Sequence, residues 1–494
     1  MLTPQRTALL AGALLLGAPQ LSAQLGQLIY ESEGSYSYEY YGRDGKFLGD
    51  VNGDGYGDFT FQAERFKDAL IVSGRDGSVL YRFADMEVFP VGDLNLDGCA
   101  DFAVDRNVVA IHSGLDGSEL YELSITDCPE SVGIDDIDQD GFPDFAVGQP
   151  AFPSGPSSVN VYSGITGNLI LQLNPGGDGT QFGRQLAAMG DLTGDGLPEL
   201  AVGSAPDGVS RGRMEIFSLI DQRLLTTWKG TRTSSSYVGE YELESGDVNA
   251  DGILDIAFKD GKVGGGYRFI VLSGADFSVL HDIPESTYAD GTRYMAVGDI
   301  NGDGFADIMA SALSSSFFGN SACGAIWAYS GRTGEVMDRI EGRYRQDVLR
   351  VFGAGDINGD GFDDILAHAN AGTSTQSTYT SAGAALVYSG GLNPLLTASN
   401  TDAGSRALFT VTAATPNGTV VLAYSLNGPG PYSTAFGLAS LTPPLERIPL
   451  KADGTGVADY AVTLPPQAQG LQVWLQAADL SAALLTNPVD FVIG

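Results

Sequence analysis

The sequence predicts an all-β protein, a seven-bladed β-propeller followed by a small C-terminal β-sandwich. Three observations carry this. An acidic nine-residue signature recurs seven times, its starts 43 to 57 residues apart, which is the period of one four-stranded propeller blade. Short apolar runs and hairpin turn signals follow the copies. After about residue 390 the signature stops, and simple apolar–polar alternation takes over.

In chain order, residues 1–23 read as a signal peptide. Arg6 supplies the positive charge, Ala8–Ala18 is apolar but short for a membrane span, and Leu21-Ser22-Ala23 is an acceptable cleavage site. Residues 24–390 are assigned to the propeller. Its signature copies are DVNGDGYGD from Asp50, DLNLDGCAD from Asp93, DIDQDGFPD from Asp136, DLTGDGLPE from Asp191, DVNADGILD from Asp247, DINGDGFAD from Asp299 and DINGDGFDD from Asp356. Each is followed by a short strand such as DFTF, DFAV or DIMA. These are apolar on both faces, as a strand between neighbouring blades should be. A third strand then ends in SGRDG, SGLDG, SGITG or SGRTG, where Gly accepts the positive φ of a tight turn. A fourth strand completes the unit.

The stretch QLIYESE from Gln27 resembles a fourth strand with no blade before it. The seventh unit lacks a fourth strand after Ala384–Ser389. The N-terminal strand is therefore expected to complete the last blade and so remove the open sheet edges. Residues 391–494, with segments such as TVVLAYSL and LQVWLQAA between Gly, Pro and Asn turns, are assigned to an antiparallel sandwich.

Composition narrows the function. The net charge of −35 repels nucleic-acid phosphates and anionic lipid, so neither nucleic acid nor membrane insertion is expected. A hydrophobic fraction of 43% argues against disorder. Cys99, Cys128 and Cys323 form no disulfide framework. Cys99 and Cys128 fall at opposite ends of a blade, too far apart to bond. The expected location is secreted, extracellular or at the cell surface.

The acidic loops carry the chemistry. Side-chain oxygens at positions 1, 3 and 5 converge when the chain curls around a point, and Gly at position 6 allows the sharp turn. This is how an EF-hand loop opens around Ca²⁺. The EF-hand's Glu at position 12 is missing here, and an acid at position 9 takes the closing role. Position 7 is expected to offer its backbone carbonyl. A polar turn needs one such residue, not four at fixed spacing in seven copies. The ligand positions of the loops hold 22 carboxylates, and seven Ca²⁺ would bring the net charge from −35 to −21.

The pattern D-x-[DN]-x-[DN]-G-x-x-[DE] between two short strands resembles the calcium loops of FG-GAP (VCBS-type) repeats, as in integrin α propellers. Phe182-Gly183 and Gly203-Ser204-Ala205-Pro206 around the fourth loop, and Phe352-Gly353 before the seventh, resemble the FG and GAP pair. The resemblance covers residues 26–390 and implies metal loops between the first and second strands, on one face of the disc. Carried over, the ligands are Asp50, Asn52, Asp54 and Asp58 in blade 1, and Asp93, Asn95, Asp97 and Asp101 in blade 2. They are Asp136, Asp138, Asp140 and Asp144 in blade 3, the tightest expected site, and Asp191, Thr193, Asp195 and Glu199 in blade 4, the weakest. Blade 5 offers Asp247, Asn249, Asp251 and Asp255, blade 6 Asp299, Asn301, Asp303 and Asp307, and blade 7 Asp356, Asn358, Asp360 and Asp364.

Ligands are expected on the opposite face, where blades 6 and 7 have long connections. Phe317, Arg343, Tyr344, Arg345 and His368 are the candidate contacts there, since Arg beside Tyr suits an acidic sugar or a carboxylate. The expected role is adhesion or ligand binding, for a glycan or a cell-surface protein. A polysaccharide lyase on a calcium-stabilised propeller is the enzymatic alternative, and a surface-layer component a third class. No Ser-His-Asp arrangement or zinc-ligand spacing is visible.

Overall fold

A computed structural model describes residues 28–33, 41–63, 68–105, 108–125, 130–150, 157–176, 181–205, 211–231, 238–240, 243–261, 267–284, 294–312, 324–341, 349–359, 361–369, 383–390, 395–412, 414–415, 417–428, 432–434, 437–439, 441–454, 457–481, 484–486 and 489–494. Residues 1–23, where a signal peptide is expected, and Cys128 and Cys323 lie outside the described residues. The chain divides into two compact units, with the boundary at Gly390 and Gly391.

In the first unit the described strands form seven four-stranded antiparallel sheets, with strands A to D in chain order. Sheet 1 is Tyr41–Gly49, Asp58–Ala63, Asp68–Val72 and Val79–Phe83. Sheet 2 is Glu87–Gly92, Asp101–Asp105, Val109–His112 and Glu119–Leu123. Sheet 3 is Ser131–Ile134, Asp144–Gln149, Ser158–Tyr162 and Leu169–Leu173. Sheet 4 is Phe182–Ala188, Glu199–Ser204, Arg213–Ser218 and Arg223–Lys229. Sheet 5 is Leu243–Gly246, Asp255–Gly261, Tyr267–Leu272 and Val279–Pro284. Sheet 6 is Met295–Gly298, Asp307–Ala312, Ala325–Tyr329 and Val336–Glu341. Sheet 7 is Arg350–Gly355, Asp364–Ala369 and Ala384–Tyr388, and its fourth strand is Leu28–Glu33.

That last pairing is antiparallel, with Glu31 opposite Leu386 and Glu33 opposite Ala384. The N-terminal strand thus completes the seventh sheet. Each A strand touches the A strand of the next sheet, and that of sheet 7 touches that of sheet 1, so the sheets close a ring.

The core lies between sheets rather than at one centre. Phe59, Phe61, Leu70 and Val72 of sheet 1 pack on Ile357, Leu366, Ala385 and Val387 of sheet 7 and its entry loop. Comparable clusters join sheets 2 and 3, 3 and 4, 4 and 5, and 5 and 6. This is why the B strands read as continuous apolar runs: Asp144–Val147 and Glu199–Ser204 are buried throughout. Fully burying each large apolar side chain contributes about 1.5–3 kcal/mol.

The FG and GAP glycines have a steric cause. Gly183 has φ +86, and its carbonyl lies 1.9 Å from where a Cβ on Gly148 would sit. Gly203 meets Gly239 in the same way, at 2.8 Å. The backbones of neighbouring sheets therefore touch, and no side chain fits between them.

The second unit has a three-stranded sheet, Leu395–Ser399, Arg406–Thr412 and Ala458–Thr463, and a five-stranded one centred on Thr419–Ser425 and Gln472–Asp479. Phe409 and Val411 of the first share a core with Leu422 and Leu475 of the second, which makes a sandwich. Among the described residues no helix is long and apolar enough to cross a membrane.

Gly148→Ala should destabilise the protein by about 3 kcal/mol or more, because backbone rather than a side chain would have to give. Gly141→Ala, at φ +95 with nothing within 4 Å of the added Cβ, should cost only about 1–2 kcal/mol of backbone strain. Denaturant unfolding of both variants checks this, and equal losses would contradict the close approach.

Candidate metal centres

Each acidic loop joins strand A to strand B of its sheet. In loop 1, Asp50 at position 1 accepts the N–H of Asp54 on Oδ1 (3.0 Å) and of Gly55 on Oδ2 (2.7 Å). Asn52 at position 3 accepts the Asp54 N–H at 3.0 Å, and Asp54 at position 5 accepts that of Tyr56 at 3.1 Å. The position-1 pattern repeats at Asp93, Asp136, Asp191, Asp247 and Asp299. In loop 7, Asp356 accepts the Gly361 N–H, and Asp360 lies outside the described residues. These bonds curl the backbone of each described loop around its position-1 carboxylate.

Position 9 anchors the loop. Asp58, Asp101, Asp144, Glu199, Asp255, Asp307 and Asp364 are all 0% exposed. Asp58 Oδ2 accepts the Val51 N–H at 2.9 Å, and its Oδ1 accepts the N–H of Gly74, in the turn between strands C and D, at 3.0 Å. One carboxylate thus ties the loop to the turn of the same sheet. Turn glycines 114, 164, 274, 331 and 390 donate likewise to Asp101, Asp144, Asp255, Asp307 and Asp364. A Cβ on any of these six glycines would lie 2.0–2.2 Å from the position-8 carbonyl of its own loop, so the SG of each turn is required sterically.

Sheet 4 departs at both ends of this bond. Leu219 stands where the others have Gly, and the longer Glu199 replaces Asp. Glu199 accepts the Leu192 N–H on Oε2 and the Thr193 hydroxyl on Oε1, the latter at 3.3 Å. Thr193 therefore directs its proton at a carboxylate.

The donor set suits a hard divalent cation, since every side-chain donor is oxygen. Two observations test the fit. Asp136, Asp138 and Asp144 of loop 3 bring ligand oxygens within 4.8 Å of one another. This is the loop with carboxylates at all four ligand positions. In loop 6, Asp307 Oδ2 has no hydrogen-bonding partner although the residue is fully buried. The Ile300 N–H is directed at this carboxyl, as in the other loops, but its close bond is to Gly298 O at 2.9 Å. A buried carboxylate oxygen without a partner is costly unless a cation meets it.

Burial raises the position-9 acids. Burial pushes Asp58 up to about 6, with Asp54 and Asp50 adding to it against the N–H groups of Gly74 and Val51. Burial likewise takes Asp101 and Asp144 to about 6, and Asp307 to about 7. Glu199 and Asp255 are raised by the same cause. Cys99, at position 7 of loop 2, is a buried free thiol, raised by burial and then by Asp97, Asp50 and Asp93.

Several features escaped sequence reading. Tyr81 of strand D in sheet 1 donates to Gly114 O in the turn of sheet 2 at 2.8 Å. Tyr121 reaches Gly164 O, and His281 contacts Gly331 O, in the same manner. The signal was an aromatic residue third in the fourth strand (VLYRF, ELYEL, VLHDIP). His112 stacks on Phe102 at 5.7 Å.

On the ligand face, Phe317, Arg343, Tyr344 and Arg345 lie outside the described residues. His368 corrects the sequence reading. It lies inside strand B of sheet 7, opposite Ala385, is 0% exposed, and packs on Phe352. It therefore does not present itself to an external ligand. Arg339 lies over Trp327 and Arg350 over Tyr294, each at 5.2 Å. Where the A strands converge is a cavity of about 440 Å³. Lys46 spans part of it, bonded to Glu130 at 2.8 Å and lying over Phe89.

Known proteins bear on this geometry. The FG-GAP repeat family matches residues 129–164 and 350–388. Integrin alpha-5 of Xenopus laevis is 26% identical over 216 residues, covering 39% of this chain and 20% of that protein. Integrin alpha-4 of Xenopus laevis is 28% identical over 193 residues, covering 34% and 18%. Human integrin alpha-7 is 33% identical over 91 residues, covering 16% and 7%. The match thus spans about a fifth or less of these relatives. A crystal structure of BBS1N in complex with ARL6DN, soaked with lead, aligns with a TM-score of 0.48 at 10% identity, covering 74% of this chain and 98% of that one.

The raised acids set a pH dependence. The pKa values of Asp58, Asp101 and Asp144 lie at about 6 and that of Asp307 at about 7 when folded, against about 4 when unfolded. The folded state therefore holds protons that the unfolded state has released across that interval, and stability falls as pH rises through it. In excess chelator the Tm should rise as pH falls from 7.5 to 5. With saturating calcium, for which protons compete, that rise should disappear. Melting curves at stepped pH check both arms, and a chelated protein with a flat profile would contradict the burial of these acids.

Proposed function

We propose that this FG-GAP, integrin-α-like repeat protein is an exported calcium-binding propeller that holds a glycan or a cell-surface protein, as an adhesive or ligand-binding module. The observation that carries the cation reading is the sevenfold loop, backed each time by a fully buried acid at position 9. Calcium, when bound, supplies positive charge that offsets the clustered carboxylates. The chain's own residues do the rest. Positions 1, 3 and 5 present oxygens, and position 9 ties the loop to the turn behind it. The likeness to integrin α chains supports a ligand-holding role.

A cation that binds only the folded state stabilises it by mass action, by about 2.7 kcal/mol at a hundredfold excess over Kd for one site. Excess chelator should therefore lower the Tm strongly, and calcium should restore it. An unchanged melting curve would overturn the cation reading. A glycan array and a polysaccharide pull-down, each run with calcium and with chelator, test the ligand class.

The basic, aromatic segment Arg343–Arg345 in a chain with only 26 Lys and Arg is the proposed contact for an acidic ligand. Arg343→Ala with Arg345→Ala should weaken binding roughly tenfold to a hundredfold and leave the calcium-dependent melting curve in place. Unchanged affinity in that double variant would reject the site.

A further inference from the structure

We propose that loops 5, 6, 7, 1 and 2 take up their cations as one coupled run, while loops 3 and 4 fill independently of it. This rests on the cation reading above and concerns how the sites communicate.

The loops are bonded to one another through their backbones. The position-8 N–H of one loop donates to the position-1 carbonyl of the loop before it. Ala306 donates to Asp247 at 2.8 Å, Asp363 to Asp299 at 3.1 Å, Gly57 to Asp356 at 3.2 Å and Ala100 to Asp50 at 2.7 Å. These bonds join loops 5 to 6, 6 to 7, 7 to 1 and 1 to 2. Loops 3 and 4 carry Pro143 and Pro198 at position 8, and proline has no N–H to give. Among the described residues no such bond joins Leu254 of loop 5 to Asp191 of loop 4.

Side chains reinforce the same run. A Cβ on Gly302 of loop 6 would meet the Phe362 ring of loop 7 at 2.3 Å. Gly359 of loop 7 lies under Tyr56 of loop 1, and Gly53 of loop 1 under Cys99 of loop 2. Asp363 Oδ2 also accepts the Asp299 N–H at 2.8 Å.

The coupling follows from peptide planarity. The carbonyl of position 7 and the N–H of position 8 belong to one rigid unit. Turning that carbonyl toward its own cation fixes the N–H on the position-1 residue of the preceding loop. That residue's carboxylate belongs to the preceding site, so ordering one loop lowers the cost of ordering the next.

Hydrogen–deuterium exchange of every loop along a calcium titration gives one midpoint per loop. The variants are Asp303→Ala, which weakens loop 6 alone, and Ala306→Pro, which removes one inter-loop N–H at a position where loops 3 and 4 already hold proline. Asp303→Ala should raise the midpoints of loops 5 and 7 about fivefold or more and leave loop 3 in place. Ala306→Pro should raise the midpoint of loop 5, again sparing loop 3. Melting in saturating calcium shows that both variants are folded. Loops 5 and 7 unmoved while loop 6 loses its response would overturn the coupling. Exchange that no loop alters with calcium would instead overturn the cation reading itself.

Discussion

The propeller unit depends on one bond repeated in six of its seven sheets, the buried position-9 carboxylate accepting the backbone N–H of the glycine that follows strand C. Asp58 to Gly74 is the first instance and Asp364 to Gly390 the last. The bond fixes both partners' residue types. The acid must be short enough to reach one N–H on each side, and the turn residue must lack a side chain because a carbonyl lies about 2 Å from any Cβ. Sheet 4 shows the two choices varying together, with Glu199 opposite Leu219. Burying an acid is unfavourable by itself. Backbone donors from the loop and from the glycine after strand C make it tolerable here.

Close backbone approach is the second constraint. Sheets packed side by side around an axis bring inner strands together, and glycine pairs such as Gly148 with Gly183 and Gly203 with Gly239 set how near they come. The FG and GAP letters of the repeat are the trace of that packing. The apolar clusters between sheets then fill the wider gaps farther out.

Much of this was legible in the sequence. The seven acidic copies set the period, the missing fourth strand in the last unit pointed to Leu28–Glu33, and alternation after residue 390 marked the second unit. What was not legible depends on contacts between repeats. Tyr81 and Tyr121 read as ordinary strand aromatics, because nothing local says that a hydroxyl reaches the next sheet's turn. His368 looked like the start of a loop, yet the strand runs one residue past it and buries it. Pro143 and Pro198 read as loop residues, whereas their weight lies in the donor they lack. Tyr41-Gly42 and Val238-Gly239 are further FG equivalents, with Gly42 and Gly239 at φ +87 and +71. A search for the literal letters passes over them.

Closure by the N-terminal strand has a consequence for biosynthesis. Leu28–Glu33 leaves the ribosome ahead of the other propeller strands and pairs last, since its partner Ala384–Tyr388 follows some 350 residues later. At about 5–20 residues per second the strand waits roughly 20–70 s with both edges bare. Its sequence, LIYESE, is suited to that wait. Two acids in six residues, Glu31 and Glu33, give the strand a net negative charge that discourages premature pairing with another nascent chain. The strand's acidic residues thus guard it through the interval before the ring exists.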